Sequence, residues 1–296
     1  MSPDAATQDP YVVHRPLLFT VAYEMLGSAA DAEDVLQESW LKWSRVDRST
    51  VRDARAYLVR IVTRTSLDRL RALARRREEY VGPWLPEPLL TAPDVAEDAE
   101  LADSLSTAML LVLETLSPTE RAVFLLREVF ELGYDELAQA VGKSEAAVRQ
   151  IASRARAHVA TRRPRGVASQ AESRRALEAF MTALETGDLQ PLVDLLAPDV
   201  VALGDGGGVK QALPRPVLGA DKVGRLMGVG MATSRALGMT AELVHVNGWP
   251  ALVLRLGGEL DAVLSVRVED GLVSGIYTVR NPEKLSRMAE VATVVR

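Results

Sequence analysis

Residues 134–158, YDELAQAVGKSEAAVRQIASRARAH, hold the densest set of side chains suited to one chemistry, the reading of duplex DNA. In a helix starting near Ser144, one side carries Ser144, Arg149, Gln150, Ser153, Arg154 and Arg156. The other side carries Ala147, Val148, Ile151 and Ala155. Arg and Gln can make paired hydrogen bonds to the edges of guanine and adenine, so Arg149, Gln150 and Arg154 are the candidate base readers. Arg156 is assigned to phosphate, with Arg162 and Arg163 beyond it. Just upstream, Tyr134, Leu137, Ala138 and Val141 form one apolar stripe. Gly142 can take a positive φ at the turn, and Ser144 with Glu145 provides a cap and a first-turn acid. Helix, glycine turn, and helix with a basic outer face is the arrangement that lays a recognition helix in the major groove. Two amphipathic helices joined by a glycine also occur in proteins that touch no DNA, so the rest of the chain must discriminate.

The net charge of -5 argues against a nucleic-acid binder until its distribution is considered. Residues 52–77 contain nine arginines against two acids, Asp53 and Asp68. Residues 143–165 contain seven cations against one acid, Glu145. Between them, residues 82–104 carry Glu87, Asp94, Glu97, Asp98, Glu100 and Asp103 with no cation. Two basic patches separated by an acidic segment suggest two DNA-contacting modules, with arginine on phosphate supplying a salt-dependent share of affinity. Acid–base chemistry is less well supplied. There are three histidines, one of them in the last third, with no His/Asp pair at a telling spacing, no metal-ligand cluster and no cysteine. Neither a metal nor another cofactor is expected.

These side chains must be positioned by helices first and strands later. Helices are predicted over 11–26, ended by Gly27, over 31–46 with Val35, Leu36, Trp40 and Trp43 on one stripe, and over 52–77. Pro83, Pro86, Pro88 and Pro93 make 81–103 a linker without regular helix. Trp84 and Leu85 sit on its stiff part and are costly to leave in water, so they are expected to dock. Helices resume over 101–116 and from Ser117-Pro118 to about 130, and 162–170 is a basic linker. After 171 come a helix to 186, a short helix over 189–196, and strand-like runs at 200–203, 241–246, 251–256, 262–268 and 272–279. Glu269-Asp270-Gly271 reads as a hairpin turn. The C-terminal part is therefore α+β with a curved antiparallel sheet.

At 296 residues the chain has room for two or three domains. The absence of cysteine suits a reducing cytoplasm. The first 16 residues include two acids and no apolar run, unlike a signal peptide, and no stretch approaches the ~20 apolar residues of a membrane span. No membrane partner is expected.

With these residues together, the chain resembles an extracytoplasmic-function (ECF) sigma factor, of the SigJ-type group that carries a SnoaL-like extension. Residues 31–38, DAEDVLQE, resemble the helix that grips the β′ coiled coil of RNA polymerase. Ala56-Tyr57-Leu58 through Leu67-Asp68-Arg69-Leu70-Arg71 resembles the helix that opens the −10 element. Leu116-Ser117-Pro118 and the helix-turn-helix resemble the −35 reader. Residues 84–88 (WLPEP), 205–208 (DGGG) and 281–285 (NPEKL) resemble three marks of the narrower group. Thr65 stands where many members have Asn, and Val209 precedes Lys210 where the Lys usually follows the third Gly directly.

The resemblance implies a multidomain protein with two all-α sigma domains and a C-terminal α+β SnoaL-like cone. The expected domains are 1–80 (region 2, polymerase and −10), 81–103 (linker), 104–164 (region 4, −35) and 171–296 (regulatory). It implies core RNA polymerase, through its β′ coiled coil and β flap, and promoter DNA as partners of a cytoplasmic protein that is monomeric when free. Asp34, Gln37, Glu38 and Leu41 would face the polymerase, the alternative being a solvated acidic face. Arg60, Arg64, Arg71, Arg75 and Arg76 would line the −10 strand. The loop 43–53 is a candidate pocket for a flipped base, with Trp43 more simply a core residue. Trp84, Leu85 and Pro86 would dock on the C-terminal domain, involving Asp205, Gly206, Gly207 and Gly208, and Asn281, Pro282, Glu283 and Lys284. Such contacts would regulate the sigma modules in cis. Two rivals remain: a ligand-responsive one-component activator, and a SnoaL-like cyclase or isomerase whose pocket could be lined by Asp205, His245, Tyr277 and Trp249. The chain is expected not to be an enzyme, while its C-terminal pocket is a candidate site for an unidentified small ligand.

Overall fold

The computed structural model describes residues 9–162 and 169–296, without the side chains of residues 74–78 and 97. It divides into two compact units: residues 1–76, 112–162 and 293–296, and residues 77–111 and 163–292. The segment between the two basic patches thus belongs with the C-terminal part rather than standing as a separate linker.

The first unit is helical. α1 (Pro10–Leu26) ends at Gly27 in the left-handed conformation, whose N–H reaches Tyr23 O at 2.7 Å. α2 (Ala29–Trp43) is capped by Ser28 and buries Val35, Leu36 and Trp43. Trp40 does not join that stripe: it is 37% exposed and lies edge-on to Tyr11, with ring centroids 5.1 Å apart. Trp43 is core, its indole N–H donating to Asp9 Oδ1 at 2.9 Å, which removes it from any base pocket. α3 (Ala54–Glu78) follows as expected.

α4 (Ala99–Leu105) and α5 (Thr107–Glu114) replace the single helix expected over 101–116, and α4 begins inside the segment read as non-helical. Asp98 caps α4 through the N–H of Leu101. The break falls at Ser106, whose φ and ψ of -53° and 142° leave the helical region. α6 (Pro118–Glu128) opens with a capping box between Ser117 and Glu120. α7 (Tyr134–Val141), left-handed Gly142 and Ser144-capped α8 (Glu145–Ala160) form the helix-turn-helix, with Val148, Ile151, Ala152, Ala155 and Val159 buried.

The second unit combines α4 and the segment before it with α9 (Gln170–Thr186), α10 (Gln190–Val193), α11 (Ala220–Ala236), α12 (Pro282–Leu285) and a six-stranded sheet. The strands are β1 (Leu196–Asp205), β2 (Val217–Leu218), β3 (Thr240–Val246), β4 (Trp249–Leu256), β5 (Glu259–Glu269) and β6 (Leu272–Val279), in the order β2-β1-β6-β5-β4-β3. The α+β class holds, but the sheet is mixed, because β1 runs parallel to β6. Leu196 is already strand, so the helix expected over 189–196 stops short. Alternate residues of β4 divide between two cores. Leu252 and Leu254 join the side chains of α9 and α11, while Ala251 and Val253 join Leu85, Tyr277, Val279 and Leu285. Both faces of the sheet are therefore covered, and Leu85, from the proline-rich segment, contributes to the second.

Candidate nucleic-acid interface

In the first unit, the polar face of α8 is open. Gln150, Ser153 and Arg154 are exposed, and Arg149 holds its guanidinium 4.3 Å over the Tyr134 ring and 3.6 Å from Glu145. Arg156 is bound to Glu128 at 3.2 Å and to the Tyr134 hydroxyl at 3.1 Å. Tyr134, read from sequence as part of an apolar stripe, therefore also orients two arginines of the outer face.

Asp34, Gln37, Glu38 and Leu41 all lie exposed on α2, and Leu41 is 52% exposed. Asp34 pairs with Arg69 at 2.8 Å and Glu38 with Lys42 at 2.8 Å. Lys42 also donates to the Thr65 hydroxyl at 2.9 Å, so the residue that departs from the common Asn is buried against α2.

The arginines of α3 are not alike. Arg71 pairs with Asp68 at 2.9 Å on the surface. Arg60 donates to Gln139 Oε1 at 2.9 Å, and Arg64 to the backbone oxygens of Gln139 (2.7 Å) and Ala140 (3.3 Å). These carbonyls belong to the last turn of α7, where the helix dipole favours a cation. Arg75 and Arg76 are on α3, but their side chains lie outside the described residues, as does Arg163.

Sequence reasoning missed a second junction, Arg121. It is 2% exposed in the first turn of α6, and its Nε and Nη2 donate to Glu24 O of α1 at 3.1 and 2.8 Å. Its Nη1 pairs with Glu114. An arginine so soon after a Ser-Pro cap is an ordinary surface position, so no sequence signal marked it.

The second unit gathers the three short motifs around Asp205, which is fully buried at the end of β1. Its carboxylate accepts from the Tyr80 hydroxyl (2.6 Å), the Leu85 N–H (2.9 Å), the Lys284 ammonium (2.7 Å) and the Gly207 N–H (3.1 Å). Lys284 also donates to Leu85 O at 2.5 Å and sits 4.2 Å from the centre of the Trp84 ring. Asn281 caps α12 at Glu283 N and donates to the Tyr80 hydroxyl at 2.8 Å. A Cβ on Gly207, at φ +61°, would collide with Asn281, so glycine is needed there. Burial, with the Asp205 carboxylate next in effect, pushes the Tyr80 hydroxyl pKa well above its ordinary value.

Further along, Leu89 and Asn247 exchange hydrogen bonds at 2.8 Å each, and Leu90 bridges antiparallel to Val246. Residues 80–91 thus form a strap on the sheet. Tyr80, Leu89 and Asn247 were not foreseen, and Asn247, with φ 54° before Gly248, was legible only as a turn. Pro86 is buried in the strap, and Gly208 lies against Val81. The four acid–base candidates do not converge. Trp249 donates to Ala102 O at 2.8 Å, Asp205 serves the strap, Tyr277 packs in the core beside Leu85, and none of these or His245 lines the cavity under α11.

Comparison with known proteins agrees with this layout. Residues 11–76 match the Sigma-70 region 2 family and residues 106–159 the Sigma-70 region 4 family. The chain is 36% identical over 292 residues to the ECF RNA polymerase sigma factor SigJ of Mycobacterium tuberculosis, covering 92% of this chain and 91% of that protein. It is 30% identical to the probable ECF RNA polymerase sigma factor SigI of the same species, covering 92% of each. The crystal structure of M. tuberculosis SigJ superposes with a TM-score of 0.75 at 34% identity, over 93% of this chain and 97% of that one. Both helical modules, their order and the α+β unit that follows are thus shared along nearly the whole length, and the chain belongs to the extracytoplasmic-function RNA polymerase sigma factors.

Proposed function

We propose that the two helical modules engage core RNA polymerase and promoter DNA through the faces described above, and that the C-terminal unit controls them in cis through the 80–91 strap. On this reading Asp34, Gln37, Glu38 and Leu41 meet the β′ coiled coil, region 4 meets the β flap, and the outer face of α8 reads the −35 element. Arg149, Gln150 and Arg154 take base edges, and Ser144, Ser153 and Arg156 take the flanking backbone. Arg60, Arg64, Arg71, Arg75 and Arg76 take the −10 strand. Since Arg60 and Arg64 are held by α7, they reach DNA only after α7 leaves them, so the state described is a closed one. The protein works as a cytoplasmic monomer, and among the described residues no helix is long and apolar enough to cross a membrane.

The observation that carries the cis-regulatory reading is the buried Asp205 carboxylate, whose donors come from all three motif segments and Tyr80. A solvent-exposed tether would need no such clamp. The test is transcription by purified core polymerase on a pool of upstream DNA fragments, comparing the full chain with one ending near residue 166. The expected result is promoter-specific initiation that depends on the protein and differs between the two. Initiation from neither, with active core polymerase, overturns the promoter reading. Identical profiles overturn regulation in cis.

A further inference from the structure

The chain has two asparagines, Asn247 and Asn281, and both hold the strap. Their chemistry differs through the residue that follows each. Asn281 precedes Pro282, whose nitrogen bears no hydrogen. Asn247 precedes Gly248, whose nitrogen bears one and has no Cβ beside it. Asparagine is thermolabile, and a following glycine favours its breakdown because the unhindered glycine nitrogen can attack the side-chain carbonyl carbon.

The folded turn withholds this reaction. Asn247 and Gly248 form the two-residue loop between β3 and β4, with Val246 opposite Trp249 and φ of 54° and 74°. Asn-Gly is the preferred pair for such a backbone. A Cβ on Gly248 would lie 3.0 Å from Ala102 Cα, so α4 also selects glycine. The Gly248 N–H, the hydrogen that must leave first, donates to the Thr91 hydroxyl at 3.0 Å. Asn247 Oδ1 accepts from the Leu89 N–H at 2.8 Å, and the Asn247 N–H donates to Leu89 O at 2.8 Å. Asn247 is 1% exposed, which keeps solvent base and water from it. Leu89 and Thr91 belong to the strap, so these restraints are lost together when it lifts.

We propose that Asn247 is a self-modification site gated by the strap, deamidating only when residues 80–91 leave the sheet and thereby making their release one-way. The one-way step rests on the reading of the strap as the cis regulator. Solvent base takes the Gly248 N–H proton, and the nitrogen bonds to Asn247 Cγ. The Cγ–Nδ2 bond breaks, Nδ2 leaves as ammonia with a proton from water, and a cyclic imide closes. Water then opens the imide. Cleavage at Cγ gives aspartate, and cleavage at the Asn247 backbone carbonyl carbon gives isoaspartate. The sum is water in and ammonia out, with nothing oxidised or reduced. Aspartate puts a charge where the strap must be buried again, at a desolvation cost that the carboxamide does not carry. Isoaspartate adds a carbon to the main chain inside the loop, so Val246 and Trp249 lose their register. Either product disfavours the return of Leu89.

The test follows the full chain in neutral buffer by peptide mass and by isoaspartyl methyltransferase labelling. Asn281 cannot close an imide through proline, so a gain of about 1 Da in the peptide spanning 240–255 reports Asn247 alone. The wild type should deamidate at least about tenfold more slowly than a synthetic peptide of residues 240–255. Thr91→Ala removes the acceptor of the Gly248 N–H, and Lys284→Met loosens the Asp205 clamp. Both should move toward the peptide rate, and melting curves separate opening from unfolding. In Asn247→Asp, exchange of the Leu85 and Leu89 amides should speed up by about tenfold. A wild type that reacts at the peptide rate, or folded variants that both stay as protected as the wild type, overturns the gate. Unchanged exchange in Asn247→Asp overturns the one-way step. These readouts need neither polymerase nor DNA, so their failure is distinct from failure of the transcription comparison.

Discussion

Replacing Arg121 by methionine removes a guanidinium while roughly preserving side-chain volume, so the cost should come from the polar groups left behind. Glu24 O is one of the carbonyls that the end of α1 cannot satisfy within the helix. Gly27 N–H takes Tyr23 O, and Arg121 takes Glu24 O with two hydrogen bonds. Hydrogen bonds to charged groups contribute roughly 1.5–3 kcal/mol each, but two donors on one acceptor do not add in full. The Glu114 side chain, 17% exposed, recovers part of its hydration once the Arg121 guanidinium is gone. Burial pulls the Arg121 pKa down to about 9, so the group is cationic at neutral pH and the wild type already bears its desolvation. Methionine relieves that term but removes both hydrogen bonds to Glu24 O and the ion pair to the largely buried Glu114 carboxylate. The expected net loss is about 3 kcal/mol, within the range for breaking one side of a buried pair. Urea unfolding at neutral pH, followed by exchange of the α1 and α6 amides, measures it. A loss below about 1 kcal/mol would show that Arg121 is hydrated in solution and refute the argument.

Other outcomes follow from the same contacts. Arg149→Ala should cost on the order of 1–3 kcal/mol at one base pair of the −35 element, and equal loss on every promoter variant would refute base reading. Lys284→Met leaves the fully buried Asp205 carboxylate without its cation and should destabilise the second unit by roughly 3–5 kcal/mol; exchange at Leu85 reports it directly, and an unchanged rate would exclude the clamp. Gly207→Ala places a side chain at positive φ against Asn281 and should cost at least about 1–2 kcal/mol in the melting of the second unit. Burial raises the Asp261 pKa, but the Arg280 and Lys210 hydrogen bonds outweigh it and hold the carboxyl below its ordinary value. A depressed carboxyl stabilises the fold above the unfolded pKa near 4, and the contribution disappears as pH falls through the folded value. An acid titration should therefore be steeper for the wild type than for Asp261→Asn, and parallel curves would remove Asp261 from the balance.

The helix-turn-helix was legible because several local rules agree over 25 residues: a left-handed glycine, a serine cap and two apolar stripes. The strap motifs could be named but not joined, since Asp205, Leu85 and Lys284 are far apart in sequence and their hydrogen bonds leave no periodic trace. α11 was missed because three glycines break the helix-forming pattern that its buried Val223, Met227 and Met231 would otherwise give. The segment 81–103 was read as a linker because proline and acid dominate it, with docking expected only of its Trp84-Leu85-Pro86 stretch. A signal for more extensive docking was nevertheless present in β4. Ala251, Leu252, Val253 and Leu254 form an unbroken apolar run, which implies a strand covered on both faces. Helices α9 and α11 cover one face, so the chain had to supply another segment for the second.

That second cover determines what the segment between regions 2 and 4 can do. A free chain of roughly 35 residues could extend over ~120 Å and would place little restriction on the two modules. With residues 80–91 fixed by Asp205, Asn247 and the core around Leu85, most of that slack is gone. On the proposed reading, the separation available to regions 2 and 4 is set by how much of the strap the C-terminal unit retains, and a contact that holds Leu85 acts on promoter spacing without touching DNA. Partial release should favour promoters whose −10 and −35 elements are further apart. Transcription by Lys284→Met on templates differing only in spacer length tests this: a shift in the preferred spacer is expected, and loss of the same fraction of activity at every length would mean that the strap does not set the spacing.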